Sequence, residues 1–119
     1  MKIYTYSKCD TCRRAVKWLR ERSTTFEERP IRETPPSRAE LGRMLAASGG
    51  EIRKLFNTSG VDYRQQKLGE KLPKLTESAA LELLATNGNL VKRPFLLGET
   101  VALVGFDPVV WSDRFRQSK

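Results

Sequence analysis

The sequence predicts an α/β fold built on one mixed four-stranded sheet with flanking helices. Two observations carry this. Strand-like and helical patterns follow one another in the order β-α-β, a run of helices, then β-β-α. The only two cysteines of the 119 residues, Cys9 and Cys12, fall where the first strand gives way to the first helix.

Residues 2–6 (Lys-Ile-Tyr-Thr-Tyr) are rich in β-formers and make a short first strand. From Cys12 onward, Cys12, Ala15, Val16 and Leu19 form the i, i+3, i+4, i+7 stripe of an amphipathic helix. Arg13, Arg14, Lys17, Arg20 and Arg22 lie mostly off that stripe, on a solvated face. Residues 25–31 make the second strand, ended by Pro30 and a polar linker over residues 32–36. Strand, helix and strand in so short a span form a βαβ unit, so the first two strands are expected to be parallel.

Ser37-Arg38-Ala39-Glu40 is a capping box directly after two prolines. The helix it opens carries Leu41, Met44 and Leu45 on one face and stops at Gly49-Gly50. A helical turn follows over residues 51–56, broken by Asn57-Thr58-Ser59-Gly60. Thr76 caps another helix running to about Ala85, with Ala80, Leu83 and Leu84 expected inward, and Asn87-Gly88 ends it. Residues 95–97 and 101–106 are apolar runs joined by a turn at Gly98-Glu99, a hairpin. Asp107-Pro108 starts a last helix that carries Val110, Trp111 and Phe115.

A βαβ half and a ββα half around one sheet make the thioredoxin-like, glutaredoxin-type arrangement. The helices over about residues 37–88 are then an insertion after the second strand. A chain of this length is expected to form one domain over residues 1–119.

That arrangement gives the C-x-x-C pair a chemical meaning. A thiolate at a helix start meets backbone N–H groups with no intrahelical partner and the positive end of the helix dipole. Lys8, Arg13 and Arg14 stand beside it, so the Cys9 pKa should fall and its sulfur become nucleophilic near neutral pH. Asp10 opposes this. Cys12, one turn along, is placed to attack a mixed disulfide formed at Cys9.

Composition narrows the rest. A structural zinc site takes four Cys or His ligands, and this chain has two cysteines and no histidine, so no metal is expected. No apolar run approaches the roughly 18 residues of a membrane helix, and no leader pattern precedes the first strand. A reducing cytoplasm is therefore the expected compartment, where a C-x-x-C is catalytic or redox-sensing more often than a structural staple. The net charge of +8 suits anionic partners, but its positive residues are spread over the whole chain. With no aromatic-interleaved basic motif, direct nucleic-acid binding is not expected.

Residues 6–15 (Tyr-Ser-Lys-Cys-Asp-Thr-Cys-Arg-Arg-Ala), the Arg93-Pro94 pair and residues 103–106 (Leu-Val-Gly-Phe) together resemble the arsenate reductase (ArsC)/Spx/YffB family. The resemblance covers nearly the whole chain. It implies a nucleophilic role for Cys9 and a match of Cys12 to the second cysteine of the Spx-like members. It also implies an oxyanion-binding role for Arg93 and a cis Arg93-Pro94 bond facing the cysteines. Members of the family include glutathione- and glutaredoxin-linked arsenate reductases, thiol reductases, and redox-sensing transcription regulators that bind the C-terminal domain of the α polypeptide of RNA polymerase.

The chain departs from the arsenate reductases at two of their three arginines. Asn57-Thr58-Ser59-Gly60 stands in the region of the first, with Arg64 the nearest downstream substitute, and Val104-Gly105-Phe106 where the third lies. The His-Asn pair that precedes the reductases' nucleophile is also missing. A doubly charged oxyanion would lose most of its paired cations, each charge-assisted hydrogen bond being worth about 1.5–3 kcal/mol. These departures argue against arsenate as a substrate.

Two functions follow. In the first, the chain is a cytoplasmic thiol–disulfide oxidoreductase that holds no cofactor and draws on glutathione, glutaredoxin or thioredoxin. Cys9 attacks, Cys12 resolves, and Arg13 and Arg93, with Arg64 as a further candidate, hold the anionic part of the substrate. In the second, the same pair is a redox switch on a surface that docks on RNA polymerase.

Overall fold

The computed structural model describes residues 1–117. Its sheet has the order β2-β1-β3-β4. The first strand, β1 (Lys2–Thr5), pairs in parallel with β2 (Glu27–Pro30), Lys2 opposite Glu27 and Thr5 opposite Pro30. On its other side β1 pairs antiparallel with β3 (Phe95–Leu97), which pairs antiparallel with β4 (Ala102–Val104). The strand β2 is an edge of four residues, Glu-Glu-Arg-Pro, and its charged side chains keep the free edge from pairing with another chain. Pro30 closes it where no further N–H is needed, and the ladder is completed by the Ile31 N–H donating to the Thr5 carbonyl at 2.8 Å.

The crossover is α1 (Asp10–Glu21), whose buried residues are the expected stripe of Cys12, Ala15, Val16 and Leu19. With α6 (Pro108–Gln117) it covers one face of the sheet, where Ile3, Leu96 and Leu103 meet Leu19 and Trp111. The other face, through Tyr4, Phe95 and Leu97, carries the helical block. That block begins with α2 (Arg38–Ala47), whose capping box is fully formed. The chain then turns through Gly49 and Gly50, both at positive φ, into a 3-10 turn (Ile52–Leu55). It closes with α5 (Glu77–Thr86), capped by the Thr76 hydroxyl.

Two readings of the block need correction. Residues 61–75 carried no sequence-based assignment, yet they form α3 (Val61–Gln65), α4 (Leu68–Lys71) and a 3-10 turn (Leu72–Lys74). Each is too short to show a helical period. In α5 the buried residues are Ala80, Leu81 and Leu84, with Leu83 only partly covered, because the helix packs on α2 and on the core from its Leu81 side.

The block is anchored back to the sheet at Gly88, where a Cβ would stand 1.8 Å from the Ile31 carbonyl oxygen. Only glycine fits so close a backbone approach. No helix among the described residues is long and apolar enough to cross a membrane.

Candidate active site

After Thr5 the chain leaves the sheet in a tight turn, closed by the Cys9 N–H donating to the Tyr6 carbonyl at 3.0 Å. Cys9 has extended backbone angles (φ −94°, ψ 114°) and is the N-cap of α1. Its Sγ accepts the Cys12 N–H at 3.3 Å, the place that a serine or aspartate oxygen takes in an ordinary cap. Capping thus fixes the sulfur at the positive end of the helix. Cys9 is partly exposed and Cys12 is buried, and both are free thiols.

The segment across from them is Arg93-Pro94, joined by a cis peptide bond, as the family resemblance implied. The Pro94 carbonyl is held by the Gly105 N–H at 2.9 Å. Gly105 is at φ +68°, a conformation that glycine adopts without strain. Gly105 thus closes the loop that carries Pro94.

The two sulfurs sit in opposite electrostatic situations. Burial works to raise the Cys9 pKa, but hydrogen bonds from the Cys12 thiol, the Cys12 backbone and Arg93, with the charge of Arg93, hold it below its ordinary value. Burial, then the hydrogen bond to Cys9 and repulsion from its charge, push the Cys12 thiol up to about 12. Of the two, Cys9 is the one that gives up its proton more readily and Cys12 the one that keeps it.

Of the expected anion-binding residues, Arg93 is the one among the main influences on the nucleophile. Arg13 is exposed on α1, where Nη1 donates to the Ser7 carbonyl at 3.3 Å and Nη2 lies 3.8 Å from Asp10. It braces the turn. Arg64 is exposed on α3, which packs against α4 and the 3-10 turn at residues 88–90. Neither ranks among the main influences on Cys9.

Two residues that the sequence reading left in structural roles belong here. Tyr6 supplies the carbonyl that receives the Cys9 N–H and a backbone hydrogen bond to Cys12. Its ring lies 4.8 Å from the Arg93 guanidinium carbon and 5.0 Å from that of Arg32. Arg32, assigned to a polar linker, also donates from Nη1 to the Tyr6 hydroxyl at 3.0 Å. The available signal was the parallel pairing of the first two strands, which brings the residues that follow them side by side.

Cavities flank this turn. One of 300 Å³ is lined by Cys12, Arg13, Lys17, Arg20 and Glu28 among others. Another, of 380 Å³, is lined by Thr5, Tyr6, Ser7, Glu28, Pro30 and Glu33. Among the described residues no group of three or more His, Cys, Asp or Glu is placed to hold a metal ion. The chemistry available is that of an accessible, activated thiol with a second, protonated thiol at its side.

Comparison with known proteins agrees with this architecture. The uncharacterized protein YusI of Bacillus subtilis is 46% identical over 104 residues, covering 87% of this chain and 88% of that protein. The global transcriptional regulator Spx of Enterococcus faecalis is 32% identical over 105 residues, 88% of this chain and 78% of Spx. A crystal structure of an ArsC family related protein from Bacteroides fragilis superposes with a TM-score of 0.88 at 43% identity, covering 95% of each chain. The ArsC family model matches residues 4–113. With that match running from β1 into α6, and with the four-stranded sheet and its C-x-x-C pair in place, the chain belongs to the ArsC family.

Proposed function

We propose that this protein is a thiol–disulfide oxidoreductase in which Cys9 attacks and Cys12 resolves. The Cys9 thiolate attacks one sulfur of a disulfide, the S–S bond breaks, and the other half leaves as a thiolate. A mixed disulfide remains on Cys9. Its sulfur then carries no charge and accepts no proton from Cys12, so two of the influences that hold the Cys12 proton fall away. Cys12 gives that proton to solvent and attacks the Cys9 sulfur, releasing the second thiolate. The protein has lost two electrons and the substrate has gained them. Glutathione, or a protein dithiol of the thioredoxin or glutaredoxin type, returns the pair to its reduced form in a reducing cytoplasm.

One observation carries this reading: Cys9 is partly exposed, and its sulfur caps α1 by accepting the Cys12 N–H at 3.3 Å with Arg93 favouring the thiolate. Arsenate is outside it, because Asn57-Thr58-Ser59-Gly60 and Val104-Gly105-Phe106 stand where the family resemblance puts two of the reductases' three arginines. Mixed-disulfide trapping with mass spectrometry tests the assignment. Cys9→Ser abolishes adduct formation, whereas Cys12→Ser accumulates a stable adduct on Cys9. Equal reactivity of Cys9→Ser and the natural protein towards an alkylating reagent near neutral pH rejects it.

The 32% identity to Spx, named as a transcriptional regulator, favours a second reading in which the same pair is a redox switch controlling docking on the α polypeptide of RNA polymerase. Turnover of a small disulfide by the natural protein, lost in Cys9→Ser, supports the first reading. Redox-dependent capture of the C-terminal domain of that polypeptide, without turnover, supports the second.

A further inference from the structure

Arg32 and Arg93 are far apart in the sequence, yet each places its guanidinium carbon within 5.0 Å of the Tyr6 ring centroid. The two cations are thus no more than about 10 Å apart, the sum of the two centroid distances. Among the described residues neither has a carboxylate within ion-pair distance, although six such pairs form elsewhere on the protein. Holding two like charges close together costs free energy unless something anionic joins them. The Tyr6 ring offsets part of that cost through cation–π attraction, and its hydroxyl fixes the orientation of Arg32 at 3.0 Å.

This arrangement is tied rigidly to the reacting sulfur. The Tyr6 carbonyl holds the Cys9 N–H, and Arg93 faces Cys9 itself. The neighbouring 380 Å³ cavity is lined by Glu28 and Glu33, so an anion is repelled there and drawn to the arginine side. We propose that Arg32, with Arg93 across the Tyr6 ring, selects for attack by Cys9 those disulfides that carry a carboxylate close to the reacting sulfur. Arg93 meets the group nearest the scissile bond and Arg32 a second, more distal one. Arg32 is a specificity residue and takes no part in the bond exchange. The inference rests on the reading of Cys9 as the attacking thiol.

A charge series of similar small disulfides tests it: 3,3′-dithiodipropionate (dianionic), bis(2-hydroxyethyl) disulfide (neutral) and cystamine (dicationic). The rate constant for oxidation of the reduced protein is read for each, at low and high salt. The natural protein should react fastest with the dianion, and the preference should shrink at 1 M salt, where the screening length is about 3 Å. Arg32→Gln should cut the ratio of the dianion rate to the neutral rate by up to about five-fold, the upper end of the range for one exposed ion pair. Tyr6→Phe, which keeps the ring and loses the hydroxyl bond to Arg32, should lower the same ratio by less. Arg38→Gln removes an equal charge from a residue paired with Glu82 and should leave the ratio unchanged. An unaltered ratio in Arg32→Gln, or an equal fall in Arg38→Gln, overturns the inference while leaving the Cys9 reading intact. If the natural protein reacts with none of the three, that reading fails and the inference fails with it.

Discussion

Two sulfurs three residues apart are driven in opposite directions by where one helix begins. Cys9 lies just before α1, where free N–H groups and Arg93 favour the thiolate; Cys12 lies on its buried stripe, where both burial and the Cys9 charge favour the thiol. The pH profile of alkylation should therefore show one reactive thiol, with a midpoint below the roughly 8.5 of an ordinary cysteine. Cys12, pushed up to about 12, stays unmodified through the neutral range. Arg93→Gln removes a hydrogen bond and a positive charge from the thiolate, so the midpoint should move up and the rate at pH 7 fall several-fold. An unchanged midpoint would mean that the helix start alone activates Cys9. The cysteine pair was legible from its spacing and its place before the first helix, and Arg93 only through the family resemblance. Arg13, also expected as an anion ligand, lies exposed on α1 with its guanidinium against the Ser7 carbonyl and Asp10. Tyr6 and Arg32 were missed although the parallel β1–β2 pairing was expected, because pairing brings the two following loops together without fixing which of their side chains meet.

At the scale of elements, the helix ends were the clearest features of the sequence, and one of them does more than cap. Glu40 closes the capping box of α2 by accepting the Ser37 N–H at 3.0 Å, and it also takes the Tyr4 hydroxyl at 2.8 Å and the Lys2 ammonium at 3.0 Å. One carboxylate thus ties the inserted block to the central strand. Burial opposes its ionisation, but these three donors outweigh burial and hold its pKa below the ordinary carboxylate value. The sign follows from linkage. Above the unfolded pKa of about 4.3 the stabilisation is fully present, and it is lost as pH falls through the lower folded pKa. Glu40→Gln should cost about 1–2 kcal/mol at pH 7, discounted because both ends of the Lys2 pair touch solvent. Urea unfolding at pH 7 and again near pH 3 checks this, and the gap between the natural protein and the variant should narrow in acid. A gap that persists in acid would assign Glu40 a packing role instead. The capping box was readable from four consecutive residues, whereas the Tyr4 and Lys2 partners, more than thirty positions away, were not. The strand β2 was found by its position between a helix and a proline, its Glu-Glu-Arg-Pro composition having no alternation to show.

Over the whole molecule, the sheet is a single layer shared by two cores. Tyr4, Phe95 and Leu97 point into the helical block, while Ile3, Leu96 and Leu103 point towards α1 and α6. Neighbouring residues of the same strands serve different cores, so neither core can be lost without baring the back of the other. Trp111 is the largest buried side chain, with its ring centroid 4.9 Å from that of Phe106 and 5.7 Å from that of Trp18. Its Nε1–H donates to the Gly105 carbonyl at 3.1 Å, and the Gly105 N–H in turn holds the Pro94 carbonyl. Trp111→Ala should cost about 3–5 kcal/mol, the usual range for emptying a large aromatic site. Because the cores share their strands, the loss should appear as one cooperative transition moved to lower denaturant, with far-UV circular dichroism and Cys9 accessibility changing together. If the helical block stayed folded through a second, later transition in Trp111→Ala, the two faces would be independent units. The sheet would then be a boundary between them instead of a common core.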